Sequence, residues 1–242
     1  MLQNKLANAS SLASHPYYPP DIEIAGYLAN AYTVPTLLSF FATGCVGVFT
    51  FTYFLISRTR SNLPTPELLT VLWFVLCGCI HLFFEGYYVA NFRAMGGLQT
   101  IFGQLWKEYS LSDSRYLTQD PFVLCMETIT AVCIPRSYQF FGVVWLMLTQ
   151  HLVQVLWGPL SFLIAYLIAA DHPLRHPVQI VVSVGQLYGD ILYYATSTFD
   201  HVIFAKSYSR PEPYYFYGYY VLMNAFWIVI PLGKFPGIGR LV

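Results

Sequence analysis

From Ile24 to Ser57 the chain carries no charged residue, and a stretch of that kind is most stable inside a lipid bilayer. A helix needs about 20 predominantly apolar residues to cross the hydrocarbon core, so Val34 to Ser57 is long enough for one crossing. The pattern recurs. Residues 68 to 92 hold one charge, Glu85, with one histidine, His81, and residues 121 to 170 hold two charges, Glu127 and Arg136, with one histidine, His151. Only 10% of the whole chain is charged, against about a quarter in soluble domains. An all-α polytopic membrane protein is expected, since a helix satisfies its backbone hydrogen bonds within its own segment.

A five-helix transmembrane bundle is expected over residues 34 to 232, with crossings at about 34–57, 68–92, 121–170, 174–198 and 214–232. Residues 1 to 33 lack the basic and apolar regions of a signal peptide. They read as a polar, extended and solvated lead-in, which leaves targeting to the first crossing; residues 233 to 242 read as a short tail. Tyr87-Tyr88, Tyr193-Tyr194 and Tyr214 to Tyr220 fall at segment ends, where aromatic rings favour the interface. Between the second and third crossings, Lys107-Glu108-Tyr109 and Ser112 to Tyr116 read as a structured loop at the membrane surface. Region 121–170 is anomalous: too long for one crossing and marginal for two, with Ile134-Pro135-Arg136-Ser137 as the only turn signal.

Twelve basic and twelve acidic residues cancel, so no basic field points to nucleic acid or to anionic lipid. The five cysteines, Cys45, Cys77, Cys79, Cys125 and Cys133, have no metal-ligand spacing and read as small apolar core residues. His81-x-x-x-Glu85 lacks the second histidine of a zinc motif. No metal is expected.

The ionisable residues inside the apolar segments carry the functional signal, because a charge at bilayer depth costs about 2.5 to 3.5 kcal/mol on insertion scales. His81 and Glu85 are four apart, Glu127 and Thr130 three apart, and Asn224 and Trp227 three apart, so each pair shares a helix face. Each has a plainer reading as helix-helix hydrogen bonder or interface anchor. Together they describe three faces that can line one cavity open to a hydrophobic ligand. Carboxylates and an indole ring both stabilise positive charge, so the cavity suits a cation carried by the ligand. Gln186 and Asp190, four apart, read equally as a structural pair or as part of the chemistry; Tyr188 lies between them.

At these residues the chain resembles a known family. The stretches from Cys79 to Gly86, Leu105 to Tyr109, Asp113 to Tyr116, Cys125 to Ala131, Trp157 to Leu160, His172 to Arg175, Val182 to Asp190 and Met223 to Trp227 are closely similar to the emopamil-binding proteins. These are the Δ8-Δ7 sterol isomerases of the EXPERA superfamily. The resemblance runs from about residue 34 to 231. It implies a five-helix endoplasmic reticulum membrane protein that moves a sterol ring double bond from C8–C9 to C7–C8 without a cofactor. A proton is added at C9, a carbocation forms at C8 and a proton leaves C7. It implies a catalytic set of His81, Glu85, Glu127, Thr130, Asn224 and Trp227. Trp106, Tyr109, Asp113, Arg115 and Tyr116 are implied as positioning or lid residues, with Gln186, Tyr188 and Asp190 in support. The sterol, lipophilic amines and the bilayer are the implied partners, and a homodimer is left open. A non-catalytic sterol- or amine-binding protein, like the sigma-2 receptor, is the competing reading. It has no use for an acid-base pair.

The chain departs from the family pattern at residues 132 to 154, which separate Ala131 from Val155-Leu156-Trp157. Val132 requires a codon beginning GT and Gln154 can be encoded CAG, so the segment reads as a short intron that has been translated. The sequence after Pro231 also leaves the pattern.

Overall fold

A computed structural model describes residues 15–130 and 157–233. Residues 132 to 154, and the tail beyond Gly233, lie outside the described residues. The described chain is helical throughout, with no strand. Helix α1 is Val34–Thr59. Helix α2, Thr65–Gly97, is α-helical to Cys79, widens into a π-helix at Ile80–Glu85, and tightens to 3₁₀ geometry at Phe92–Gly97. Then follow α3 (Ile101–Tyr109), a 3₁₀ turn (Ser114–Tyr116), α4 (Pro121–Thr130), α5 (Trp157–Ala169) and α6 (Arg175–Phe204). The last helix, α7, is Tyr215–Gly233, and it opens as a π-helix over Tyr215–Leu222.

Three of these, α1, α2 and α7, are long and apolar enough to cross a membrane. The sequence reading called for five. Helix α6 has the length, but Ser183, Gln186 and Asp190 on its buried face lower its apolar content. Helices α4 and α5 are apolar but short.

Helix α1 has Pro35 in its first turn, where a missing N–H costs nothing. It buries only Leu37, Thr52 and Ile56 and exposes Val46, Phe51, Phe54 and Leu55, a surface that suits acyl chains and not water. Beyond its end, Arg60 donates to the carbonyls of Ile168 and Ala169 at 3.3 and 2.8 Å and pairs with Asp171 at 3.3 Å. These carbonyls are at the C-terminus of α5, where a helix has no internal donors and a cation is favoured. Arg175 ties the same end to Asp171 and to Glu67 of α2. One face of the bundle is therefore stitched by charges.

Helices α2, α5 and α6 approach closely because small residues sit at their crossings. A Cβ on Gly158 of α5 would meet Leu82 at 2.8 Å, and one on Gly185 of α6 would meet the Trp157 ring at 2.2 Å. Two apolar clusters result. One joins Ile56, Val71, Phe74, Trp157, Ile164 and Val182; the other gathers Tyr88, Trp106, Tyr116, Tyr193 and Tyr220.

The segment before α1 differs from its reading as a solvated lead-in. From His15 onward it is docked on α3, and Tyr17 is buried. Gln104 Oε1 accepts from Ala31 N and Tyr32 N at 2.7 and 2.8 Å, and Lys107 Nζ donates to Leu28 O at 2.7 Å. The reason lies in α3: Gln104 and Lys107 are buried polar groups, and the extended backbone ahead of α1 supplies their partners. Burial lowers the Lys107 ammonium to about 8.

Candidate active site

A cavity is walled by α2, α3, α4, α5, α6 and α7, with Leu38 and Phe41 of α1. Its polar groups come from the residues singled out above. His81 and Glu85 stand on the π-helical turn of α2, a geometry that recurs at functional sites because it breaks the regular ladder. The widened turn keeps them facing each other, His81 Nδ1 to Glu85 Oε2 at 2.7 Å. The carbonyl of Phe84 on the same turn accepts from Trp106 Nε1 at 3.0 Å, which fastens α3 to it. Trp106 stacks on Phe84 with centroids 4.5 Å apart.

Glu127 is brought in by α4, which begins at Pro121 with Asp120 as its cap: Asp120 Oδ1 accepts from Val123 N at 3.0 Å. The carboxyl group is buried, and Tyr116 Oη donates to its Oε1 at 2.6 Å. Burial first, and then the charge of Glu127, hold the Tyr116 phenol well above its ordinary pKa, so it remains a donor. One turn on, Thr130 donates its hydroxyl to Glu85 Oε2. Glu85 and Glu127 line the same cavity. His81 Nε2 is buried with no hydrogen-bond partner among the described residues, which leaves it free for a ligand.

The opposite wall is α7. Asn224 follows the second π-helix and donates to the Tyr220 carbonyl at 2.7 Å and to Tyr109 Oη at 3.0 Å. Trp227 presents its indole to the cavity, tilted against Trp73 with centroids 5.5 Å apart.

The structure therefore brings all six members of the expected catalytic set to one cavity, together with Trp106, Tyr109, Tyr116, Gln186 and Asp190. Asp113 and Arg115 do not line it. They form a buried ion pair behind it, Arg115 Nη2 to Asp113 Oδ2 at 2.7 Å, with Arg115 also donating to Thr196 at 3.0 Å and lying over the Tyr193 and Tyr208 rings. Burial opposes the guanidinium charge, but Asp113 more than offsets it and the net pKa is raised. The pair holds the turn that carries Tyr116. Tyr188 is 59% exposed and points away from the cavity. It sits between Gln186 and Asp190 in sequence, but the helical turn sends it to the outer face.

Several cavity residues were not singled out as site residues from the sequence, among them Phe41, Met126, Trp157 and Glu108. Apolar residues in apolar segments cannot be sorted into lining and lipid-facing without the packing. Glu108 was visible as a charge, but nothing in its spacing placed it inward; it accepts from Tyr219 Oη at 3.3 Å.

The chain was compared with known proteins. Residues 101–234 match the family model EBP, described as EXPERA, the expanded EBP superfamily. The chain is 34% identical over 232 residues to the 3-beta-hydroxysteroid-Delta(8),Delta(7)-isomerase of Cavia porcellus, covering 93% of this chain and 88% of that protein. It is 28% identical over 219 residues to the probable enzyme of the same name from Arabidopsis thaliana, covering 90% and 84%. The protoglabretal synthase of Citrus sinensis is 33% identical over 177 residues, covering 73% and 69%. By this likeness over nearly its full length, the chain belongs to the EBP family of the EXPERA superfamily.

Proposed function

We propose that this protein is a sterol Δ8-Δ7 isomerase, and that the cavity is where the double bond moves. One observation carries the reading: two carboxyl groups, Glu85 and Glu127, lining one apolar cavity and oriented by His81, Thr130 and Tyr116. Transposing a double bond needs one group to give a proton and another to take one, and nothing else. A non-catalytic binding protein has no need of that pair. The relatives whose names state the reaction support the reading.

The chemistry follows from the geometry. A group of the pair that holds a proton delivers it to C9 of the substrate, leaving positive charge at C8. The carboxylate that remains and the face of Trp227 stabilise that charge, and a group of the site that lacks a proton removes one from C7. Thr130 and His81 fix Glu85, while Tyr116 fixes Glu127, so neither carboxyl group has to reorganise as charge develops. No redox step occurs. The site sits in a multi-pass membrane protein, and we assign it to the endoplasmic reticulum. Lipophilic amines, protonated at neutral pH, should occupy the cavity as imitations of the cation.

Expression in a host that lacks its own sterol isomerase tests the function: Δ7-sterols should appear at the expense of Δ8-sterols, and their absence from cells holding the inserted protein would overturn it. Two variants test individual roles. Trp227→Leu should weaken amine binding by about 0.5 to 2 kcal/mol, and matched neutral isosteres should bind much worse than the amines. Equal affinity for amine and isostere would point to a generic lipid pocket. Tyr116→Phe should lower kcat by about one to two orders of magnitude, the range for a hydrogen bond to a charged group, with KM little changed. A KM effect alone would make Tyr116 a binding residue.

A further inference from the structure

The proton chemistry uses the walls of the cavity made by α2, α4 and α7. The α6 wall carries a second polar pair that it does not use. Gln186 and Asp190 are both more than nine-tenths buried, both line the cavity, and they stand on successive turns of one helix face. Gln186 Nε2 and Oε1 and Asp190 Oδ2 have no hydrogen-bond partner among the described residues. Buried polar groups are ordinarily paired, and an unpaired donor beside an unpaired acceptor points to a ligand that completes both.

We infer that Gln186 and Asp190 form the site for the ligand's hydroxyl group, and so select the alcohol end of a 3β-hydroxysteroid. A hydroxyl is the small neutral group that both gives and accepts a hydrogen bond: its O–H donates to Asp190 Oδ2 while its oxygen accepts from Gln186 Nε2. An ammonium group would leave the Gln186 donor unpaired, and a hydrocarbon would leave both. The relatives' names specify a 3-beta-hydroxysteroid. In that skeleton the hydroxyl is on the A ring and the reacting bond is at the junction of the B and C rings. The groups that touch them must then be different residues of one cavity, as the α6 pair and the Glu85–Glu127 pair are. The two pairs stand on different helices: Trp157 of α5 abuts Gly185 of α6, next to Gln186, and its neighbour Gly158 abuts Leu82 and His81 of α2.

This inference rests on the isomerase reading, and the test separates the two. Purified wild type and the double variant Gln186→Met, Asp190→Leu are titrated with a 3β-hydroxy Δ8-sterol and with its 3-deoxy analogue, and turnover of the alcohol is followed separately. The wild type should bind the alcohol about 10²-fold more tightly than the deoxy compound, since a site built around a hydroxyl rejects the analogue that lacks it. In the double variant that ratio should fall to near one, through loss of alcohol affinity with deoxy-sterol affinity kept. A wild-type ratio near one, an unchanged ratio in the variant, or equal loss of both ligands would each overturn the inference. A collapsed ratio in a wild type that still isomerises sinks this inference alone, whereas a kept ratio without isomerisation sinks the enzymatic reading alone.

Discussion

Glu85→Gln and Glu127→Gln should each abolish Δ7-sterol formation, by about 10² to 10⁴-fold, the usual contribution of general acid-base catalysis. The amide keeps the size of the carboxyl group but holds no transferable proton and accepts none. The two losses should not add, because both groups line one cavity and serve the two proton transfers of one turnover. Glu85→Gln keeps an oxygen for His81 and Thr130, and Glu127→Gln keeps one for Tyr116, so both proteins should insert and fold. Mass spectrometry of the sterols from an isomerase-deficient host gives the answer. Near-normal conversion by either variant would remove that residue from the mechanism.

A chain lacking residues 132 to 154 should isomerise faster than the full chain. Thr130, at the end of α4, bonds Glu85 on the π-helical turn of α2, and Gly158, at the start of α5, abuts Leu82 and His81 of the same turn. The two ends thus converge on one place, and Ala131, Val155 and Leu156 suffice to join them. The joined helix would match the 26 residues of α1. Residues 132 to 154 include Arg136, a residue costly at bilayer depth, and any strain they place on Thr130 acts directly on the catalytic pair. A misplacement of about 1 Å can cost about 10²-fold in rate, so a gain of roughly that order is expected from the deletion, read as Δ7-sterol per inserted protein. Equal or higher activity of the full chain would show that these residues belong to the working protein.

Much of the site was legible because it contradicts its surroundings. A glutamate in an apolar run such as 68–92 has to be explained, and His81, Glu85, Glu127 and Thr130 all come together as their spacing requires. The spacing could not show that the second segment widens into a π-helix at that point, since no local sequence signal marks the change. Burial in the loop was also hidden. Lys107, Asp113 and Arg115 look like surface charges in sequence, yet they are buried because the strand of backbone ahead of α1, and the Tyr193 and Tyr208 rings, close over them. Tyr188 went the other way: its neighbours Gln186 and Asp190 face in, and a residue two positions from either faces out. The number of crossings is the least legible feature, because polar residues that line a cavity lower the hydropathy of the helix that carries them.

The double bond should move by addition of one proton and removal of another, both through the Glu85–Glu127 pair. Isomerisation in deuterium oxide measures this directly, since a carboxyl group exchanges its proton with solvent between turnovers and a C–H bond does not. One deuterium is expected in each Δ7-sterol product, located at C9 by mass spectrometry and nuclear magnetic resonance. Product that forms at the normal rate with no deuterium at C9 would contradict it.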